Sequence, residues 1–133
     1  MSIRIYTDGS AKGNPGPGGY GIVLLSDEGH RKELAKGYRK TTNNRMELLS
    51  VIVALEMLKS RPTDVLVYSD SKYVVDAVEK KWVFNWEKKY FDKKKNVDLW
   101  KRFLIIYRQH NVKFFWVKGH ANNVENERCD KLA

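Results

Sequence analysis

Apolar positions along the chain fall into two periods, and their order predicts the architecture. Residues 3–7 are rich in β-branched side chains and stop at the turn pair Asp8-Gly9, and 20–25 form a second apolar run, so both read as strands. Residues 31–38 read as a third, making the first part of the chain an antiparallel meander. Six of the nine glycines lie between Gly9 and Gly21, which predicts a Gly- and Pro-rich loop of tight turns or close backbone approach. A helical period follows, capped by Asn43 or Asn44, running to about Lys59 and ended by Arg61-Pro62. Residues 65–68 then read as a short, fully buried strand, with a helix opening near Ser71. A further helix is expected from about Val97 to His110, a last strand at 114–117, and a final helix where Asn122 precedes Glu125 by three residues. Strands first, then helix and strand in alternation, predict a mixed sheet with helices packed on it, an α/β or α+β layered domain. With no internal repeat and no linker, 1–133 is expected to be one domain.

Two acidic residues stand where such a sheet places ligands. Asp8 follows the first strand and Asp70 the buried fourth, each at a strand's C-terminal end. Each also has a structural reading, Asp8-Gly9 as a turn and Asp70 as the cap of the helix opening at Ser71. Glu47 reads as a capping-box glutamate answering Asn44, but the helical wheel adds something. At about 100° per residue it lies roughly 200° from Arg45; Arg45, Glu56 and Lys59 make the polar face, while Val51, Ala54 and Leu58 share the stripe of Glu47. Glu47 is therefore expected to face the sheet, where an uncompensated carboxylate is costly. A cation would compensate it. Carboxylates without His or Cys partners suit a hard ion with oxygen ligands, so Mg²⁺ is expected over Zn²⁺, with Mn²⁺ able to substitute. If the acids converge, paired ions about 4 Å apart suit phosphoryl chemistry.

Charge narrows the partner. Lys and Arg number 25 against 16 Asp and Glu, a net +9, which favours polyanions. Residues 80–95 concentrate it: seven lysines against Glu87 and Asp92 leave +5, interleaved with Trp82, Phe84, Trp86, Tyr90 and Phe91. Ammonium groups among aromatic faces are what a surface tracking a nucleic-acid backbone uses. The same pattern fits a solvated helix whose aromatics pack inward, Trp82 and Trp86 sharing one face. The apolar share of 42% fits a folded soluble domain. One cysteine, Cys129, excludes an internal disulfide and a multi-thiolate metal site and suits a reducing compartment. No stretch approaches the roughly 20 apolar residues of a membrane span, and the N-terminus lacks a signal-peptide core, so no membrane association and a cytoplasmic location are expected.

Several segments coincide with one family. Thr7-Asp8-Gly9-Ser10, Gly13-Asn14-Pro15-Gly16-Pro17-Gly18-Gly19-Tyr20-Gly21, Thr41-Thr42-Asn43-Asn44-Arg45-Met46-Glu47-Leu48 and Ser69-Asp70-Ser71 closely resemble motifs of bacterial type I ribonuclease H. So do Asn96-Val97-Asp98-Leu99-Trp100, Trp116-Val117-Lys118-Gly119-His120-Ala121 and Glu125-Asn126-Glu127-Arg128-Cys129-Asp130, in order over nearly the whole chain. The resemblance implies a ribonuclease H-like fold, a central five-stranded mixed sheet flanked by helices with a basic helical protrusion at about 80–96, in a monomer. It implies endonucleolytic hydrolysis of the RNA strand of an RNA–DNA hybrid by a two-metal-ion mechanism, leaving 3′-hydroxyl and 5′-phosphate ends. Four ligands for two Mg²⁺ ions carry over, Asp8, Glu47, Asp70 and Asp130. His120 matches a mobile histidine that assists proton transfer or product departure, and reads otherwise as a surface-loop histidine.

Asn14, Asn43 and Asn44 match positions used at the RNA minor groove, where 2′-hydroxyls tell RNA from DNA. Amides suit that role as both donors and acceptors, and one of Asn43 and Asn44 is also expected to cap the helix. Thr42 matches a phosphate pocket on the DNA strand, and the segment holding Trp82, Lys88 and Lys89 matches the protrusion that grips DNA. Lys72 departs from the family pattern, standing where many relatives carry a glutamine near the RNA strand, which exchanges a hydroxyl contact for a phosphate contact. Relatives continue the final helix past the point where this chain stops, so Asp130 is expected near a fraying end that binds metal less firmly. No separate N-terminal hybrid-binding module is expected. Two other readings compete: a module that holds hybrid or duplex RNA without cutting, and an integrase-like or resolvase-like nuclease acting on DNA, against which the three asparagines speak.

Overall fold

The computed structural model describes residues 2–118 and Arg128. Strands β1 (Ser2–Ala11), β2 (Gly16–Ser26) and β3 (Arg31–Thr41) run antiparallel to their sequence neighbours. After helix α1 (Asn43–Glu56), strand β4 (Asp64–Ser69) pairs parallel with β1. Helices α2 (Lys72–Glu79), α3 (Trp82–Lys88) and α4 (Val97–Tyr107) then lead to β5 (Asn111–Trp116), parallel to β4. The order β3-β2-β1-β4-β5 makes a mixed five-stranded sheet, as expected from the pattern. Both parallel pairings need long crossovers, and helices supply them.

Strand alternation sorts the two faces. Ile5, Val65 and Val67 enter the main core with Leu48, Val51, Ile52 and Leu55 of α1 and Trp100, Phe103 and Leu104 of α4. On the opposite face Tyr6, Tyr68 and Phe115 stand in register across β1, β4 and β5 and stack, their ring centroids 4.9 and 5.2 Å apart. Arg128 donates two hydrogen bonds to Glu33 on β3, at 3.1 and 2.9 Å, and its guanidinium, with that of Arg31, holds the Glu33 carboxyl down at about 2.

Three expectations need correction. The Gly-rich stretch is mostly paired strand, since Gly9 lies in β1 and Gly16, Gly18, Gly19 and Gly21 in β2, leaving only residues 12–15 as loop. Helix α1 stops at Glu56, short of Lys59, because the chain must turn early enough for Thr63 to give its N–H to His110 Nδ1 at 3.1 Å and for β4 to begin. Likewise α4 stops at Tyr107 and not at His110, since Asn111 is claimed by β5, in register with Asp64. The polar face expected at Arg45 and Glu56 is present and meets α4, Arg45 making a bidentate pair with Asp98 at 3.0 and 2.8 Å and Glu56 accepting from Arg102 Nε at 2.8 Å. A helix covered on two sides cannot show one clean apolar stripe.

Candidate active site

The ladder between β1 and β4 ends at Thr7 and Ser69, so Asp8 follows it on β1 and Asp70 follows it just past the end of β4. Glu47 reaches this spot from the second turn of α1, and that reach depends on Gly9. A Cβ there would lie 2.5 Å from the Met46 carbonyl carbon and 2.7 Å from Glu47 N. Glycine alone lets α1 come so close to β1, and Glu47 Oε1 then accepts the Gly9 N–H at 2.5 Å. The close approach expected of the glycine run is therefore real at this position, within a strand.

The helix is started by other residues than expected. Thr42, not Asn43 or Asn44, caps α1, its hydroxyl accepting from Arg45 N at 3.2 Å. Asn43 instead accepts the Ala11 N–H through Oδ1 at 2.5 Å, tying the helix start to the end of β1. Ser71 caps α2 by accepting from Val74 N at 3.3 Å, so Asp70 is not the cap. Its side chain is used elsewhere.

Asp8, Glu47 and Asp70 each place one carboxylate oxygen within 4.8 Å of the others. Asp8 and Glu47 are buried, 5% and 8% exposed. Burial first, then the charges of Asp70 and Asp8, push the Glu47 carboxyl up to about 9, against the Gly9 N–H, which lowers it. Three crowded acids with oxygen donors only make a site that gains from a divalent cation. An octahedral Mg²⁺ with bonds of about 2.1 Å sets its ligand oxygens about 3 to 4.2 Å apart. Side-chain adjustments of a fraction of an ångström therefore suffice for one ion to be shared.

Around the acids lies a cleft of about 430 Å³ whose wall also includes Ser10, Asn43, Asn44, Lys72 and Tyr73. A second cleft, sharing Asn43 and Asn44, is lined by Gly13, Asn14, Thr42, Lys95 and Asn96. The structure thus brings together Asp8, Glu47, Asp70 and Lys72, and beside them Asn14, Thr42, Asn43 and Asn44. Trp82, Lys88 and Lys89 line neither cleft. His120 and Asp130, and the final helix expected after Asn122, lie outside the described residues. An apolar cleft at the other end of the sheet, between Ile3, Leu24, Met57 and Leu58, brings no carboxylate to its wall.

The basic segment is less helical than expected. Only Trp82–Lys88 is helix, and the chain then passes through positive φ at Tyr90, Phe91, Lys93 and Asn96. Both of its readings hold in part. Val83 and Phe91 are buried, and Trp86 meets the Trp100 ring edge-on at 5.7 Å, while Trp82 and Tyr90 are 44% and 92% exposed. Trp82 and Trp86 therefore part company, one outward and one inward. Lys94 Nζ lies 5.0 Å from the Trp86 ring centre and Lys80 Nζ 5.2 Å from that of Trp82.

Sequence reasoning passed over the residues that brace the cleft. Tyr73 accepts from Asn96 Nδ2 at 3.1 Å and from Trp100 Nε1 at 2.9 Å, joining α2 to the start of α4. Trp116 gives its indole N–H to the Asp70 carbonyl at 3.0 Å. Trp116 belongs to a stretch already notable in sequence and Tyr73 to none, and only the fold brings the one to Asp70 and the other to the wall of the acidic cleft.

Comparison with known proteins gives a consistent answer. The family model described as RNase H matches residues 1–133. The chain is 57% identical over 136 residues to a protein named ribonuclease H from Desulforamulus reducens, covering 98% of this chain and 84% of that protein. It is 52% identical over 137 residues to ribonuclease HI from Synechocystis sp., covering 99% and 85%. Among solved structures, LC9-RNase H1, described as a type 1 RNase H with the type 2 active-site motif, superposes with a TM-score of 0.87 at 32% identity, over 99% of this chain and 70% of that one. LC11-RNase H1 in complex with RNA/DNA hybrid gives 0.72 at 29%, over 98% and 92%.

Proposed function

The chain belongs to the RNase H family, and we propose that it hydrolyses the RNA strand of RNA–DNA hybrids with Asp8, Glu47, Asp70 and Asp130 holding two Mg²⁺ ions, Mn²⁺ able to replace them. The observation that carries this reading is the convergence of three carboxylates within 4.8 Å, one of them too buried to stay ionised without a cation. When bound, such ions activate a water for attack on the scissile phosphate and stabilise the leaving 3′ oxygen, giving 3′-hydroxyl and 5′-phosphate ends.

The protein's own groups supply placement. Gly9 N–H orients the Glu47 carboxylate. Asn43 has its Oδ1 engaged by Ala11, so its Nδ2 hydrogens are what it offers a 2′-hydroxyl. Thr42 Oγ1 accepts from Arg45 and keeps its own hydrogen for a phosphate of the DNA strand. Asn14 and Asn44 complete the minor-groove contacts, and Lys72 sits on the acidic cleft's wall for a phosphate of the RNA strand. Trp82, Lys88 and Lys89 hold the DNA strand farther out. His120 moves the proton or the product. We further propose that the protein acts as a monomer in the cytoplasm.

The test is a gel assay with end-labelled hybrid in Mg²⁺, beside EDTA, single-stranded RNA and DNA duplex controls. Asp70→Asn is expected to fold and to cut hybrid at least a hundredfold more slowly. Full activity of that variant, or binding of hybrid by the parent with no Mg²⁺-dependent fragments, would refute the reading.

A further inference from the structure

Trp116 closes β5 opposite Ser69 of β4 and is 42% exposed. Its indole N–H donates to the Asp70 carbonyl oxygen at 3.0 Å. The next residue, Val117, donates its backbone N–H to the Ser69 carbonyl at 2.8 Å, and Ser71 N donates to Ser69 Oγ at 3.0 Å. The peptide units on both sides of Asp70 are therefore tied down just where β4 ends and its ladder with β1 has stopped. The same indole ring carries the Lys72 ammonium, with Nζ 4.5 Å from its centroid. Lys72 in turn shares the cleft of Asp8, Glu47 and Asp70.

Resting on the metal-binding reading above, we propose that Trp116 is a positioning residue with two duties. Its N–H fixes the peptide from which the Asp70 carboxylate hangs, and its ring keeps the Lys72 ammonium on the cleft wall and out of the divalent-ion position. The second duty follows from charge. An ammonium beside three clustered carboxylates is attracted into them and would serve as an internal counter-ion competing with Mg²⁺. A ring face is an alternative seat for it that still leaves the charge pointed at a passing phosphate.

The test combines calorimetric Mg²⁺ titration with the indole N–H resonance of Trp116, identified by its absence from Trp116→Phe. That variant keeps a ring for Lys72 and loses one neutral hydrogen bond, so Mg²⁺ affinity is expected to fall roughly fivefold. Trp116→Leu loses both duties and is expected to fall by about tenfold or more. Adding Lys72→Gln to Trp116→Leu is expected to restore part of that loss, which mere damage to the fold would not allow. In the parent, the Trp116 resonance is expected to move with the same Mg²⁺ midpoint as the Gly9 amide. Unchanged Mg²⁺ affinity in both Trp116 variants, or a still Trp116 resonance while Gly9 moves, would overturn this inference alone. If neither resonance moves at saturating Mg²⁺, the metal-site reading falls, and this inference with it.

Discussion

Replacing Glu47 with Gln tests whether the acidic cluster is held in the fold at a cost that a divalent ion relieves. Glu47 is buried beside Asp8 and Asp70, and its carboxyl is pushed from 4.5 up to about 9. A raised folded-state value means that the native protein binds this proton more tightly than the unfolded chain does. Stability from this group is thus present below about 4.5 and lost as pH rises towards 9. Each unit between those limits costs about 1.4 kcal/mol, so from about pH 5.5 to about pH 8.5 the parent is expected to lose ~4 kcal/mol that Glu47→Gln keeps. Water entering the open cleft lowers this figure, which makes it an upper limit. His110 slopes the other way, since burial pushes its value down and stability is lost as pH falls through its range. Subtracting parent from variant cancels that contribution. Chemical denaturation of both proteins in EDTA across this pH range measures the gap, which at pH 8.5 corresponds to a melting difference of roughly 15 °C. Millimolar Mg²⁺ should then close the gap, because the parent keeps all its carboxylate ligands and gains more from binding. A gap that stays flat with pH in EDTA, or that Mg²⁺ leaves untouched, would refute the reasoning.

Other substitutions probe the parts that set the site. Gly9→Ala puts a methyl 2.5 Å from the Met46 carbonyl carbon, so α1 must retreat; a loss of about 2 kcal/mol or more in urea unfolding and a collapse of Mg²⁺-dependent cleavage are expected, and near-parental values for both would show that the close approach is dispensable. Thr42→Ala removes the α1 cap at a cost of about 1 kcal/mol, readable as a shift in the urea midpoint. Trp100→Ala empties the fully buried centre of the core, which should cost about 3 to 5 kcal/mol, with Tyr73 losing one of its two donors. Neutralising Lys88, Lys89, Lys93, Lys94 and Lys95 is expected to weaken hybrid binding and flatten its dependence on salt, by a slope of about 0.7 to 0.9 per lost phosphate contact. An unchanged slope in fluorescence anisotropy would make that segment a solvated face only.

Local chemistry made much of this protein legible before any coordinates. β-Branched and apolar runs bounded by turn residues marked all five strands, because such side chains fit the pleated, buried surface of a sheet. The wheel placed Glu47 inward correctly, since one turn of helix fixes which side chains share a face whatever lies beyond. Charge density at 80–95 and the ordered motifs pointed to nucleic acid and to the family. Contacts between distant segments were another matter. Glycine reads as loop when nothing says what will press on it, so the strand character of Gly9 waited for α1 to arrive, and that of Gly18 for Ser10, Ala11 and Thr41 of the flanking strands. Thr42, Asn43 and Asn44 are all able to cap a helix, and the choice fell to Thr42 only because β1 ends where Asn43 can accept from Ala11. Helices α1 and α4 stop where the strands that follow must start. Sequence by itself determined which residues could carry the chemistry and which faces they occupy, for these are properties of a few consecutive residues. The meeting of Asp8, Glu47 and Asp70, and the bracing of Asp70 by Trp116, were decided by tertiary structure, since a distance of a few ångströms between residues dozens apart exists only once the sheet and its helices have packed.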